Sequence, residues 1–315
     1  MNKMDRILVY GLEFIGDSLF TTPFLRELRG IFPHSYITVL TGTRGAATVL
    51  LNNPYVDKVV ELKKDFKTRK DFIRAENFDK AFVLNTSLSA ALETWRGRVK
   101  KIYGHRKEGR GILLSRSIRF NKKMHYADNH VSLLEKLYHI TPKKSSLEIY
   151  PLKKDRESAA QILAHVQTPK SKGIVCLIPG TTNTGKAWST ENFSRLAGEL
   201  VNRGWSCISI GSSKDVDLCS QIKGSVNLAG KTSVHELYGI FEKCAAIVSG
   251  DTGPLHIAGC VNTPHPPFIS ALYGPTDPRL YGVYQYRNIQ ITRKPSRDMS
   301  DISVDEILSA VLEKI

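Results

Sequence analysis

Short apolar runs alternate with longer amphipathic ones along this chain, and the pattern runs through twice. Arg6-Ile-Leu-Val-Tyr10 reads as a buried strand, Gly11 to Gly16 as a glycine-bounded loop, and Asp17 to Arg29 as a helix with Leu19, Phe20, Phe24, Leu25 and Leu28 on its apolar face. Further strands are predicted at Tyr36 to Leu40, Val56 to Leu62, Lys80 to Leu84 and Val99 to Tyr103. Helices are predicted at Gly45 to Leu51, Asp65 to Asn77, Leu88 to Trp95 and Asn129 to His139. Gly104 to Asn121 is basic and weakly periodic, which predicts an exposed loop. A hydrophilic stretch from Thr141 to Ser146 leads to Tyr150-Pro151 and sets a domain boundary, giving domains 1–152 and 153–315.

The alternation then restarts. Ser158 to His165 reads as a helix, Gly173 to Ile178 as a buried strand and Pro179 to Ser189 as a polar loop. Helices at Thr190 to Arg203, Val216 to Ile222 and Val234 to Lys243 are interleaved with strands at Trp205 to Ile210, Ala245 to Val248 and Phe268 to Leu272. The last amphipathic helix, within 303–315, is read as a segment that can pack back on the N-terminal domain. Such alternation predicts parallel strands with crossover helices. Two similar α/β halves with a cleft between them are the expected architecture. Ligands are then expected outside the carboxyl ends of the strands.

A length of 315 residues accommodates two such domains. No apolar run approaches the ~20 residues of a membrane-spanning helix, and Met1-Asn-Lys-Met-Asp-Arg6 enters a strand with no signal-peptide core. Five cysteines without a C-x-x-C pair suit reduced, packed thiols, so a cytoplasmic location is expected and a zinc site or disulfide framework is not. Charge adds more. Of a net +15, the stretch Glu61 to Lys123 carries +11, with 18 Lys/Arg against 7 Asp/Glu. That is either a solvated face or the footprint of an anionic partner, such as an acidic glycolipid or a membrane surface. Aromatics do not alternate with the basic residues, and no nucleic-acid-binding signature is present, so nucleic acid is the weaker partner.

Chemistry concentrates in loops at strand ends. The run Ser249-Gly-Asp-Thr-Gly253 joins a strand to a helix carrying His256. Free amides and a positive helix dipole point outward there, which suits a phosphate, although an ordinary capped turn has the same composition. Asp17, where the first helix begins, is kept ionised by the dipole. It is either a cap or a proton acceptor. Lys186 with Thr181, Thr182, Asn183 and Thr184 offers one cation and several hydroxyls to a diphosphate. The spacing of Gly180, Gly185 and Lys186 nearly matches a Walker A loop, but Ala187 replaces the Ser/Thr that would bind magnesium. Asp215-Val-Asp217 is a D-x-D, read as first-turn acids of a helix, with Asp215 also within reach of a ribose hydroxyl. His256 is either packing or a hydrogen-bond donor to an anion.

These blocks, taken in order, resemble ADP-heptose:lipopolysaccharide heptosyltransferases of glycosyltransferase family 9. The resemblance rests on Gly16-Asp17-Ser-Leu-Phe-Thr-Thr-Pro23, Pro179-Gly180 with Lys186-Ala-Trp188, Gly211-Ser-Ser-Lys-Asp215, Asn227-Leu-Ala-Gly230, Ser249 to Gly253 with His256, and Tyr273-Gly-Pro-Thr-Asp-Pro278. It implies a GT-B fold, two Rossmann-like domains with parallel sheets facing across a cleft, the first binding the acceptor and the second the nucleotide sugar. It also implies an inverting transferase without metal or cofactor. In that reading Asp17 is the general base, and Lys186 with the amides around Thr252-Gly253 holds the leaving diphosphate. Thr181 and Thr182 touch the phosphates, Asp251 and His256 complete the donor site, and Asp215 meets the ribose. Arg96, Arg98, Lys100, Arg106, Lys107, Arg110 and Arg116 are the implied acceptor-binding cations, facing an acidic glycolipid at the inner face of the inner membrane. Another nucleotide sugar, a sugar-nucleotide isomerase on the same scaffold and a silent nucleotide-sugar binder are the alternatives. Two departures stand out: Ser189 where the family has Pro, and a longer Thr263-Pro-His-Pro-Pro-Phe268, expected to abut the donor pocket.

Overall fold

Apolar residues at consecutive positions, as in Ile7-Leu-Val9 and Ile174-Val-Cys-Leu-Ile178, require burial of a strand on both faces. The computed structural model describes residues 4–43, 45–107, 109–143, 145–166, 171–181 and 183–315, and it meets that requirement twice. The chain divides into two units, residues 1–150 and 151–315.

In the first unit the elements are β1 (Arg6–Tyr10), α1 (Ile15–Leu19), α2 (Thr22–Ile31), β2 (Tyr36–Thr41), β3 (Lys58–Glu61), α3 (Phe66–Glu76), β4 (Lys80–Val83), α4 (Leu88–Arg96), β5 (Lys101–Arg106), β6 (Arg116–Arg119) and α5 (Tyr126–Tyr138). The six strands are parallel in the order β3-β2-β1-β4-β5-β6. Leu8, Tyr10, Ala81 and Val83 pack under Ile73 of α3 and Ala90 and Ala91 of α4. The opposite face carries Phe82, whose ring meets Phe24 of α2 edge-on with centroids 5.6 Å apart.

The second unit runs α6 (Lys153–Ala164), β7 (Ile174–Ile178), α7 (Thr190–Asn202), β8 (Ser206–Ser209), α8 (Val216–Ser220), β9 (Ser225–Asn227), α9 (Val234–Phe241), β10 (Cys244–Gly250), α10 (Gly253–Ala258), β11 (Phe268–Tyr273), α11 (Pro278–Tyr281), β12 (Ile289–Arg293) and α12 (Val304–Leu312). Its strand order, β12-β11-β10-β7-β8-β9, reproduces the first sheet, all parallel. Each unit is therefore a doubly wound sheet whose order reverses at one switch point, between β1 and β4 and between β7 and β10.

Several expectations change. The final helix buries Val304, Ile307, Leu308 and Val311 with Leu177, Phe193 and Leu272 in the core of the second unit. The single helix expected from Asp17 is two. Pro23 has no N–H to continue α1, and the Thr21 and Thr22 hydroxyls donate back to the carbonyls of Ser18 and Leu19. Gly45 to Leu51 forms only a short 3-10 turn at Thr48–Leu50. The loop expected from Gly104 contains the end of β5, a 3-10 turn at Arg110–Leu113 and the edge strand β6. Among the described residues no helix is long and apolar enough to cross a membrane.

Candidate functional site

The switch point of the second sheet is built by register. Ser249 of β10 lies beside Ile178 of β7, so the loops that follow the two strands leave the sheet together. One carries Lys186, in a 3-10 turn at Thr184–Lys186, and the other carries Asp251. The Lys186 Nζ donates to Asp251 Oδ2 at 2.7 Å. One turn into α10, His256 Nε2 lies 3.6 Å from the other carboxylate oxygen. Gly250 allows the close approach, since a Cβ there would stand 3.1 Å from the Lys186 carbonyl. Burial of Asp251 opposes its ionisation, but hydrogen bonding from His256 and Lys186 outweighs that and holds its pKa down at about 2. The result is a carboxylate kept charged in a nearly dry position, beside a lysine that remains about a quarter exposed.

The lysine loop is held from beneath. Trp188 is buried, donates through Nε1 to the Ile302 carbonyl at 2.9 Å and packs edge-on against Phe193. Ser189, the departure from the family pattern, accepts the Asn192 amide as the N-cap of α7, a role proline cannot fill. Thr181 Oγ is engaged with the backbone of Asn183 within the loop. Thr182 lies outside the described residues. Thr252 stands directly before α10, its hydroxyl 3.3 Å from Ser249 Oγ, and Gly253 opens that helix with Pro254 behind it.

Asp215 takes the structural course open to it. Its carboxylate accepts the Ser212 amide and hydroxyl, both at 2.7 Å, closing a capping box. It nests against Gly180 and Gly211, where any Cβ would collide with it. Asp217 is exposed on the first turn of α8, so the D-x-D does not converge. No group of three or more His, Cys, Asp or Glu that could hold a metal ion occurs among the described residues. One neighbour escaped the sequence reading. Tyr273 ends β11, the strand beside β10, and its phenol is driven upward by burial and then by the Asp251 charge. The Tyr-Gly-Pro-Thr-Asp-Pro motif was the available signal.

In the first unit Asp17 sits half-buried in the first turn of α1, directly after the β1 end and therefore at that sheet's switch point. The seven basic candidates do not form one cluster. Arg110 is completely buried, with its guanidinium donating to the carbonyls of Val83, Asn85, Ser87 and His105, so it ties the β4–α4 loop to β5 and does not face solvent. Arg96, Arg98 and Lys100 are exposed at the amino end of β5, whereas Arg106 and Lys107 are exposed at its carboxyl end, about 17 Å away along the strand. Arg116 is exposed at the start of β6, in register with Tyr103. Arg119, overlooked in the sequence, pairs with Arg106 across the two strands. Arg106, Lys107, Gly109, Gly111, Ile112 and Ser117 line an open cavity of about 480 Å³.

The Thr263–Phe268 segment is not at the donor loops. Phe268 is in register with Ala246, four residues below Gly250, which puts it about 13 Å down the sheet at the amino end of β11. There Tyr286 and Asn288 bind the carbonyls of Pro267 and Pro266.

Two doubly wound parallel units in one chain, with a lysine–carboxylate–histidine cluster at the second switch point, define the GT-B fold class. Residues 67–307 match glycosyltransferase family 9 (heptosyltransferase), and the chain belongs to that family. It is 28% identical over 298 residues to the lipooligosaccharide heptosyltransferase 2 of Haemophilus influenzae, covering 87% of this chain and 84% of that one. The fold matches a family 9 glycosyltransferase of Veillonella parvula with a TM-score of 0.86 at 22% identity, over 98% and 97% of the two chains. It matches the ADP-heptose LPS heptosyltransferase II of Escherichia coli with a TM-score of 0.81 at 21% identity, over 98% of each.

Proposed function

We propose that this transferase moves a heptose from ADP-heptose to the inner core of lipopolysaccharide, in one inverting, metal-independent displacement. The names of the Haemophilus and Escherichia relatives support the donor and the acceptor class. The observation that carries the reading is the Lys186–Asp251–His256 cluster at the second switch point.

In this reading the second unit holds the donor and the first the acceptor. An acceptor hydroxyl oxygen attacks the anomeric carbon, its proton passes to Asp17, and the bond to the diphosphate breaks with its electron pair on the departing oxygen. Lys186 meets the charge that develops there, which is the task a metal performs elsewhere. The amides at Thr252 and Gly253 and the hydroxyls of Thr181 and Thr182 are assigned to the phosphates, and Asp251 and His256 to the sugar. Asp215 is engaged in its cap through Oδ2 alone, and its Oδ1 is assigned to the ribose. Arg106 and Lys107, with Arg119, are the acceptor cations this reading retains at the strand ends. The acidic acceptor implies peripheral contact with the inner face of the inner membrane.

Thermal unfolding with ADP, UDP and GDP, each with and without EDTA, tests the donor half. ADP is expected to raise Tm most and EDTA to change nothing. Stabilisation by UDP alone, or only with a divalent cation, contradicts the proposal.

A further inference from the structure

We propose that Arg69, acting through Glu13, is a positioning residue for Asp17; this rests on the reading of Asp17 as the general base. Arg69 belongs to α3, far from Asp17 in the chain, yet its guanidinium is buried across the carboxyl ends of two strands, β1 and β3. Its Nε donates to the Lys63 carbonyl at 3.0 Å. One terminal nitrogen donates to the Leu62 carbonyl at 2.8 Å and to Glu13 Oε1 at 3.1 Å, and the other donates to the Tyr10 hydroxyl at 2.8 Å. Tyr10 in turn donates to the buried carboxyl group of Glu93 at 2.5 Å. The ends of β1 and β3 are thereby joined through one cation.

Glu13 is the point at which this brace meets the loop bearing Asp17. Its carboxyl group lies over Gly42, directly after β2, where an added Cβ would fall 1.6 Å from Oε2. Backbone bonds stitch the same loop down: Gly11 N–H to the Leu40 carbonyl at 2.8 Å and Gly42 N–H to the Leu12 carbonyl at 3.3 Å. A bridge between Phe14 and Gly45 adds to these. Ser18 N–H then bonds the Phe14 carbonyl at 3.0 Å, so the helix turn holding Asp17 starts from the residue next to Glu13. A buried ion pair is a weak source of net stability, since desolvation offsets most of its attraction. A planar fork meeting an acid, a phenol and two carbonyls does fix geometry. Small displacements of a base are costly in rate.

The test compares Glu13→Gln, Gly42→Ala and Asp17→Asn in the full chain, with ADP-heptose and a heptose-free glycolipid acceptor, well below each variant's Tm. Glu13→Gln keeps the shape of the side chain and removes its charge, so it remains informative if Gly42→Ala folds poorly. The inference predicts at least a tenfold fall in kcat for Glu13→Gln, donor KM within twofold, and a shifted acid limb of the kcat–pH profile, which reports the base. Asp17→Asn is predicted to be inactive. Normal kcat, or a lowered kcat with an unmoved acid limb, overturns the positioning role while an inactive Asp17→Asn leaves the base intact. Turnover persisting in Asp17→Asn overturns both.

Discussion

Replacing Lys186 with methionine removes one charge and keeps most of the stem. The Nζ–carboxylate separation is 2.7 Å, for which the gross attraction at an effective dielectric of ~20 is about 6 kcal/mol. Lys186 is 27% exposed, so screening and desolvation cancel most of that. A net loss of about 1–2 kcal/mol is expected, lowering Tm by roughly 2–8 °C for a unit of this size. The catalytic effect is expected to be larger. A preorganised cation facing developing diphosphate charge contributes about 3–4 kcal/mol to the barrier, or 10²–10³ in kcat. Stopped-time assays of ADP release at saturating donor, with Tm measured in parallel, separate the two effects. Lys186→Arg restores the charge and is expected to recover part of the rate. A kcat within threefold of the parent in Lys186→Met refutes the assignment of Lys186 to the leaving group.

Four further outcomes are expected. Arg110→Ala strands several buried carbonyls and lowers stability by about 3 kcal/mol or more. Arg106→Ala leaves Tm within a degree or two but weakens the salt dependence of acceptor KM, and equal Tm losses in the two variants would contradict this division. His130 and His105 are held neutral, His130 at about 3 by burial and then by neighbouring histidines, His105 at about 4 by burial and then by Arg110. The unfolded chain binds these protons near pH 6.5 and the folded chain does not. Stability is therefore full above that pH and falls as pH drops toward 4 and 3, by about 2 kcal/mol per histidine at pH 5. Denaturant titrations of His130→Leu at pH 7 and 5 should show a smaller pH difference than the parent, and an equal one would argue against the assignment. The five buried thiols should react with a thiol reagent only on unfolding, which rapid labelling of the native protein would disprove.

Periodicity made the repeated α/β plan legible, because fully apolar strands such as Ile174–Ile178 and amphipathic helices such as α7 state their burial directly. The edge strands β6, β9 and β12 were not legible. They are short and mix polar with apolar positions, as in Arg116-Ser-Ile-Arg119, Ser225-Val-Asn227 and Ile289-Gln-Ile-Thr-Arg293, so none carries an apolar run. Lys186, Asp251 and His256 could be named from loop position, and their convergence came from parallel pairing that only the sheet order supplies. Arg110 shows the opposite case. A cation in a basic stretch looks like surface until its donors find carbonyls, and nothing in its neighbours' identities distinguishes it from Arg106. Glu13 and Arg69 went unnoticed because 56 residues separate them and each alone resembles an ordinary surface charge.

The most direct test of the account is mass spectrometry of a heptose-deficient glycolipid core incubated with the purified protein, ADP-heptose and EDTA. The account predicts one added heptosyl unit with inverted anomeric configuration and stoichiometric ADP. Retained configuration, transfer only after a divalent cation is restored, or conversion of ADP-heptose without any gain in acceptor mass would contradict it.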